Sequence, residues 1–213
     1  HFREPGLTHK GEIATESKAA IAGGVTSYFE MPNVNPNTST IENLEKKFDI
    51  AANKSYANYS FYLGATNDNI EEIKKSDPNA SCGLKVFMGA STGDLLVDKY
   101  ESLEKIFEHC PTNIVTHCED PKRLVENENI FQEKYGDQLH AAHHAVIRDE
   151  ECCYLSSSLA VGLAKKFGAN LHVLHLSTKR EMDLFESGPI DNKKITAEGC
   201  VHHLTFSDKD YEE

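Results

Sequence analysis

The 213-residue chain has no tryptophan and only three methionines, and no apolar run approaches the roughly 18 to 20 residues that a membrane-spanning helix requires. No basic-then-apolar leader precedes its first motif, so neither a membrane partner nor secretion is expected and the cytoplasm is the expected location. Basic residues are scarce: 22 Lys and Arg stand against 34 Asp and Glu, a formal net charge of −12, and they form no block. The phosphate-neutralising footprint of a nucleic-acid binder is therefore missing. The six cysteines (Cys82, Cys110, Cys118, Cys152, Cys153 and Cys200) include no Cys-x-x-Cys spacing, which argues against a disulfide framework and against a structural zinc finger. There is also no G-x-G-x-x-G or P-loop, and the glycine-bearing run Gly89-Ala90-Ser91-Thr92-Gly93 carries no lysine where a phosphate loop needs one.

What is present is a rhythm. Short apolar runs rich in β-branched and aromatic residues fall at 24–31, 59–64, 83–88, 113–117, 171–176 and 194–197. Between them, helical periodicity predicts helices at 12–22, 40–52, 70–75, 100–109, 121–135, 149–167 and 179–187. Such alternation is the pattern of βα units around a parallel sheet. Polar residues stand where several runs stop: Asn33 after the first, His117 closing the fourth, and His175 near the end of the fifth, with Lys85 inside the third. In a (β/α)8 barrel the carboxyl ends of the strands converge on one face, so residues distant in sequence can build one site there. An open doubly wound sheet is the alternative, but the glycine-rich phosphate turn expected of it is lacking.

A histidine at a buried strand end is either a metal ligand or a hydrogen-bonded core residue, and both readings stand for His117 and His175 taken singly. Lys85, in Leu84-Lys85-Val86-Phe87, would be costly to bury as an ammonium. It either snorkels, pairs with an acid, or loses its proton by desolvation and reacts with carbon dioxide to form a carbamate. That last course would turn a cation into an anionic metal bridge. Arg3 and Asn33 could hold a carboxylate, or be a salt-bridging residue and a turn residue between Pro32 and Pro36. The doublets His143-His144 and His202-His203 are expected not to chelate one ion, because neighbouring side chains diverge on a strand or helix. The pair at 143–144 reads as a helix entry or surface feature, and His202 and His203 as packing or backbone-bonded residues, with a place lining the site as the alternative. Cys118 reads as a buried structural thiol, and His9, His109, His140 and His172 as ordinary hydrogen-bonding residues.

The motifs His1-Phe2-Arg3-Glu4-Pro5-Gly6, Met31-Pro32-Asn33-Val34-Asn35-Pro36 and Gly83-Leu84-Lys85-Val86-Phe87-Met88-Gly89 resemble the dihydroorotase family of the amidohydrolase superfamily. The segments Thr116-His117-Cys118-Glu119-Asp120, Leu174-His175-Leu176-Ser177-Thr178 and Ala197-Glu198-Gly199-Cys200-Val201-His202-His203-Leu204 fit the same resemblance, which thus spans nearly the whole chain. It implies a metal-dependent (β/α)8 TIM barrel of which residues 1–213 are a part, truncated at both ends and lacking the first and eighth strands. It further implies two zinc ions bridged by a carboxylated Lys85, with His1, His117 and His175 as the other ligands in this chain and Arg3 and Asn33 on the substrate carboxylate.

By the same resemblance, one further metal-binding histidine is expected upstream of His1 and the proton-shuttling aspartate beyond Glu213, so the stretch by itself is expected to be inactive. Asp208 and Asp210 lie in a polar segment and are not expected to replace that aspartate. The implied reaction is the reversible cyclisation of N-carbamoyl-L-aspartate to dihydroorotate in pyrimidine synthesis, with that small molecule as partner and room for a homodimer. Dihydropyrimidinase or hydantoinase and allantoinase are the rival activities, and a non-catalytic barrel serving as a scaffold is the rival of another class.

Overall fold

The computed structural model describes residues 1–89 and 93–212, so the glycine-bearing run at 89–93 lies partly outside the described residues. Six strands, β1 (Ser27–Glu30), β2 (Asn58–Gly64), β3 (Gly83–Phe87), β4 (Ile114–His117), β5 (Leu171–Val173) and β6 (Ile195–Ala197), follow one another in the sheet in chain order. The registered pairs are parallel: β1 with β2 from Ser27↔Asn58, β2 with β3 from Tyr62↔Gly83, and β5 with β6 from Leu171↔Ile195. Parallel neighbours cannot be joined by a tight turn, and the connections between them carry helices, as the alternating sequence pattern requires. The fold is thus α/β with a parallel sheet, as expected. No helix among the described residues is long and apolar enough to cross a membrane.

The chain forms two compact units, with β1 to β3 in the first, β5 and β6 in the second, and β4 divided between them after Val115. In the first unit, α1 (Ile13–Ala22), α2 (Ile41–Lys54), α3 (Ile70–Ile73) and α4 (Tyr100–His109) supply the helices. The sheet is covered most fully at β3, where every residue is buried, and at Phe61, Tyr62 and Leu63 of β2, whereas Phe29 of β1 is exposed. Leu44 and Ala51 of α2 and Leu103, Ile106 and Phe107 of α4 are buried with them. Each fully buried side chain of this size contributes about 1.5–3 kcal/mol.

The second unit contains α5 (Pro121–Tyr135), α6 (His144–Ile147) and α7 (Glu150–Phe167). Helix α7 is locally well specified. Asp149 caps it by accepting from the Cys152 N–H at 2.9 Å, glutamates occupy its first turn, lysines its last, and Gly168 ends it in the left-handed conformation at φ 68°. Its small and apolar residues Ser156, Ser157, Ala160, Val161, Leu163 and Ala164 are buried, as are Leu171 and Val173 of β5.

Several predicted boundaries differ for identifiable reasons. The run at 24–31 is a strand only over Ser27–Glu30, because Gly24 turns at φ 85° before it and Pro32 follows. The run at 171–176 stops at Val173, since His175 adopts φ 39°. The helix expected at 179–187 is a 3-10 segment, Arg180–Leu184. There Glu181 turns inward and accepts from the hydroxyls of Ser157 at 2.5 Å and Thr178 at 2.8 Å.

Candidate functional site

In the first unit the residues of the opening motif meet those that follow β1. Glu30, at the end of β1, is 1% exposed, and its Oε1 accepts the Phe2 N–H at 2.9 Å. Its partner is Lys47 of α2, equally buried, which also donates to the Met31 carbonyl at 2.7 Å. This ion pair therefore pins both the opening segment and the loop after β1. Glu4 adds a second tie, accepting from the Ile13 N–H at the start of α1 at 2.8 Å and pairing with Lys54. A glycine is required at position 6, where φ is 81° and a Cβ would lie 2.0 Å from the Asn35 carbonyl oxygen.

Held in this way, His1 Nδ1 lies 2.8 Å from Asn33 Oδ1, and Arg3 donates to the Asn33 carbonyl at 3.2 Å. If His1 donates through Nδ1, its Nε2 keeps a lone pair for a metal. Asn33 with Oδ1 so engaged keeps its NH₂ donors, and Arg3 keeps further N–H groups for an anion. The carboxylate of Glu4 goes to Lys54 and the Ile13 N–H instead of forming the alternative salt bridge with Arg3. The Arg3 backbone is left-handed at φ 64°, a conformation costly for a side-chain-bearing residue. Lys85, at mid-β3, is 1% exposed, with Nζ 4.6 Å from the centroid of the Phe87 ring. Snorkelling to solvent is thereby excluded, and the stem is held wholly inside.

In the second unit His117, at the end of β4, and His175, just past β5, converge. His117 Nδ1 lies 3.1 Å from His175 Nε2, with the rings 4.9 Å apart at 68°. The outer nitrogen of His117, Nε2, lies 2.8 Å from Glu119 Oε2, and Arg148 grips both oxygens of that carboxylate at 2.7 and 2.6 Å. Burial pushes the Glu119 carboxyl upward, but His117 and Arg148 outweigh it and hold the group below the ordinary carboxylate range. An ionised Glu119 takes the Nε2 proton of His117 as a hydrogen bond, which leaves the Nδ1 lone pair facing His175.

Zinc–nitrogen bonds of about 2.0–2.1 Å in tetrahedral geometry place two ligand nitrogens roughly 3.3 Å apart, close to the separation seen between these rings. The donor chemistry thus fits a divalent metal. His175 shares with Arg3 the distinction of a positive φ, and these two are among only three non-glycine residues with one in the described residues. Strain of this kind concentrates at functional sites.

His117 and His175 line a cavity of about 70 Å³ with Cys118, Glu119, Cys153, Leu174, Ser177 and Glu181. A wider basin of about 920 Å³ is lined by His117, Glu119, Arg148, His202, His203 and Asp210, among others. Burial, reinforced by Glu181 and Glu119, pushes the Cys153 thiol up to about 12, so it stays protonated near neutral pH and supplies no thiolate nucleophile. Cys118 is buried and donates to Thr116 Oγ1 at 3.2 Å, as expected of a structural thiol, and no disulfide joins the six cysteines among the described residues.

Sequence reasoning assigned no role to Glu30, Lys47, Glu119 or Arg148. Glu119 carried a signal, because it stands two residues after His117 and so can share its side of an extended backbone. Glu30 and Lys47 come from different elements, and no local pattern joins them. The premise behind the expectation for His202-His203, a strand or α-helix at that point, does not hold. They lie on a 3-10 turn, Val201–Leu204, not on a strand or α-helix, and their ring centroids are 4.2 Å apart. His144 does open a helix, α6, and His172 hydrogen-bonds Thr196 Oγ1 at 2.8 Å as an ordinary residue.

No family profile matches the chain. It is 31% identical over 212 residues to an allantoinase of Streptomyces avermitilis, covering 97% of this chain and 46% of that protein. It is 30% identical over 221 residues to a dihydroorotase of Methanosarcina mazei, covering 100% of this chain and 47% of that protein. Among solved structures, L-hydantoinase from Arthrobacter aurescens superposes with a TM-score of 0.90 at 24% identity, over 100% of this chain and 48% of that one. The chain spans about half the length of the curated relatives it matches.

Proposed function

Because the chain belongs to the cyclic amidohydrolase superfamily, we propose that it is part of a metal-dependent cyclic amide hydrolase, and that this enzyme is a dihydroorotase. It would close N-carbamoyl-L-aspartate to dihydroorotate and reopen it, with residues 1–213 supplying six strands of a (β/α)8 barrel. The observation that carries the hydrolase reading is the 3.1 Å approach of His117 Nδ1 to His175 Nε2, with Glu119 on the far side of the first ring. His1, His117, His175 and a carboxylated Lys85 would hold two zinc ions. Such ions polarise the carbonyl under attack and make water acidic enough to react near neutral pH. The carbamate would form when Lys85, as the neutral amine that burial favours, adds to carbon dioxide and releases one proton, and the metal charge would hold it ionised.

The protein's own groups supply order and recognition. Glu119, kept ionised by Arg148, fixes the proton of His117 on Nε2 and so keeps Nδ1 a donor of its lone pair. The substrate assignment rests on Arg3 and Asn33, which lie within hydrogen-bond reach of each other and present N–H donors of a kind that grips a carboxylate. Dihydroorotate carries that carboxylate on its ring. Dihydrouracil and allantoin do not, so the pair would have nothing to hold in those substrates.

The test is turnover of dihydroorotate, dihydrouracil and allantoin by the full-length protein, before and after Arg3→Met. Loss of charge-assisted hydrogen bonds of about 1.5–3 kcal/mol lowers kcat/KM for dihydroorotate roughly 10- to 150-fold. A full-length protein that prefers allantoin, and whose rate on it is indifferent to the substitution, overturns the substrate assignment while leaving the hydrolase reading in place.

A further inference from the structure

A second group of metal-ligating side chains lies outside the His117–His175 pair. Cys200, His202 and His203 each offer one ligand atom, and these atoms all fall within 4.8 Å of one another. The turn Val201–Leu204 is what makes this possible. Its tight winding brings the rings of two consecutive histidines to 4.2 Å and 69°, where a strand would have sent them to opposite faces. An independent observation points the same way: His203 Nδ1 is shielded from solvent and has no hydrogen-bond partner among the described residues. A buried ring nitrogen left without a partner costs free energy that a bound cation would recover.

We propose that Cys200, His202 and His203 form a separate site, of one cysteine and two histidines, for a borderline-soft divalent transition metal of the zinc class. One thiolate and two imidazoles select zinc, cobalt or nickel over magnesium or calcium, which prefer all-oxygen shells. In tetrahedral geometry, Zn–S of about 2.3 Å and Zn–N of about 2.0–2.1 Å put sulfur and nitrogen roughly 3.6 Å apart, within about 1.2 Å of the 4.8 Å that bounds the separations here. The fourth position is left to water from the basin that His202 and His203 line. Binding replaces the Cys200 S–H bond with an S–metal bond and releases one proton to solvent. Metal here would fix the 3-10 turn in the basin wall. None of these three residues is required by the function proposed above, so the two readings stand or fall separately.

Cobalt(II) added to the purified protein tests the assignment, because a thiolate ligand gives a near-ultraviolet charge-transfer band that histidine and carboxylate ligands do not. The band is expected in the unaltered chain and in the His117→Asn/His175→Asn double variant. It is expected to vanish in Cys200→Ser. His203→Gln should weaken cobalt affinity by more than the roughly 10- to 100-fold typical of losing an outer partner. Circular dichroism of each variant confirms that the fold is retained, and His202→Gln provides a second reading if one variant fails to fold. Absence of the band, its persistence in Cys200→Ser, or its loss in the His117→Asn/His175→Asn protein would overturn the site. The last outcome would move the thiolate to Cys118 or Cys153.

Discussion

Replacing Lys47 by methionine should be among the most damaging single changes in the first unit. The ammonium is fully buried, pairs with Glu30, donates to the Met31 carbonyl at 2.7 Å and lies 5.2 Å from the centroid of the Phe61 ring. Methionine fills similar space but leaves the Glu30 carboxylate buried without its counter-charge. Breaking a buried pair from one side costs about 3–5 kcal/mol. That is a large part of the roughly 5–15 kcal/mol by which a domain is stable. The double variant Glu30→Gln/Lys47→Met removes the stranded charge while keeping an oxygen for the Phe2 N–H, and should recover most of the loss. Urea unfolding at neutral pH measures both. A Lys47→Met cost below about 1 kcal/mol, as for an exposed pair, or a double variant no better than the single one, would refute the reasoning. Because Glu30 anchors Phe2, Glu30→Ala should also loosen the segment that carries His1 and Arg3.

Asp149 caps α7 and receives Arg123 Nε at 2.8 and 3.1 Å; Arg123 is the main reason its carboxyl sits below the ordinary range. Asp149→Ala should cost about 1–2 kcal/mol at neutral pH. Since the folded-state pKa is lowered, that contribution is complete above about pH 4 and is lost as acid titrates the group through its lowered value, so the variant and the parent should converge in stability at low pH. Thermal unfolding across that window reads the difference. Glu119→Gln keeps the shape of the His117 contact but removes the charge that orders the ring, and should weaken zinc binding roughly 10- to 100-fold in chelator competition, with the circular dichroism spectrum unchanged. Equal zinc affinity in the two proteins would mean that Glu119 does not orient His117.

The parallel α/β plan was legible because both of its periodicities are strong. The runs at 59–64 and 83–88 became β2 and β3 within a residue, since all of β3 and the last four residues of β2 are buried and buried parallel strands read as near-continuous apolar runs. Less legible was anything set by tertiary partners. Glu181 turned inward to two hydroxyls, and a predicted α-helix gave way to a 3-10 segment. His175 stood out in sequence as a polar residue ending an apolar run, but its left-handed backbone, which cuts β5 short, did not. Arg3 and Asn33 stood out in their motifs, but that Arg3 donates to the Asn33 carbonyl was not legible, nor was the Glu30–Lys47 pair, which joins residues in different elements. The local geometry of His202-His203 was not legible, because divergence of neighbouring side chains holds for strands and α-helices and the chain uses neither there.

The proposed metal chemistry is tested most directly by anomalous diffraction at the zinc edge from crystals of the full-length protein grown with zinc and bicarbonate. The expected result is a zinc peak bonded to His117 Nδ1 and His175 Nε2, together with a carboxyl group on the Lys85 nitrogen. An unmodified Lys85 ammonium, with the two histidines hydrogen-bonded to each other and no anomalous peak beside them, would contradict it.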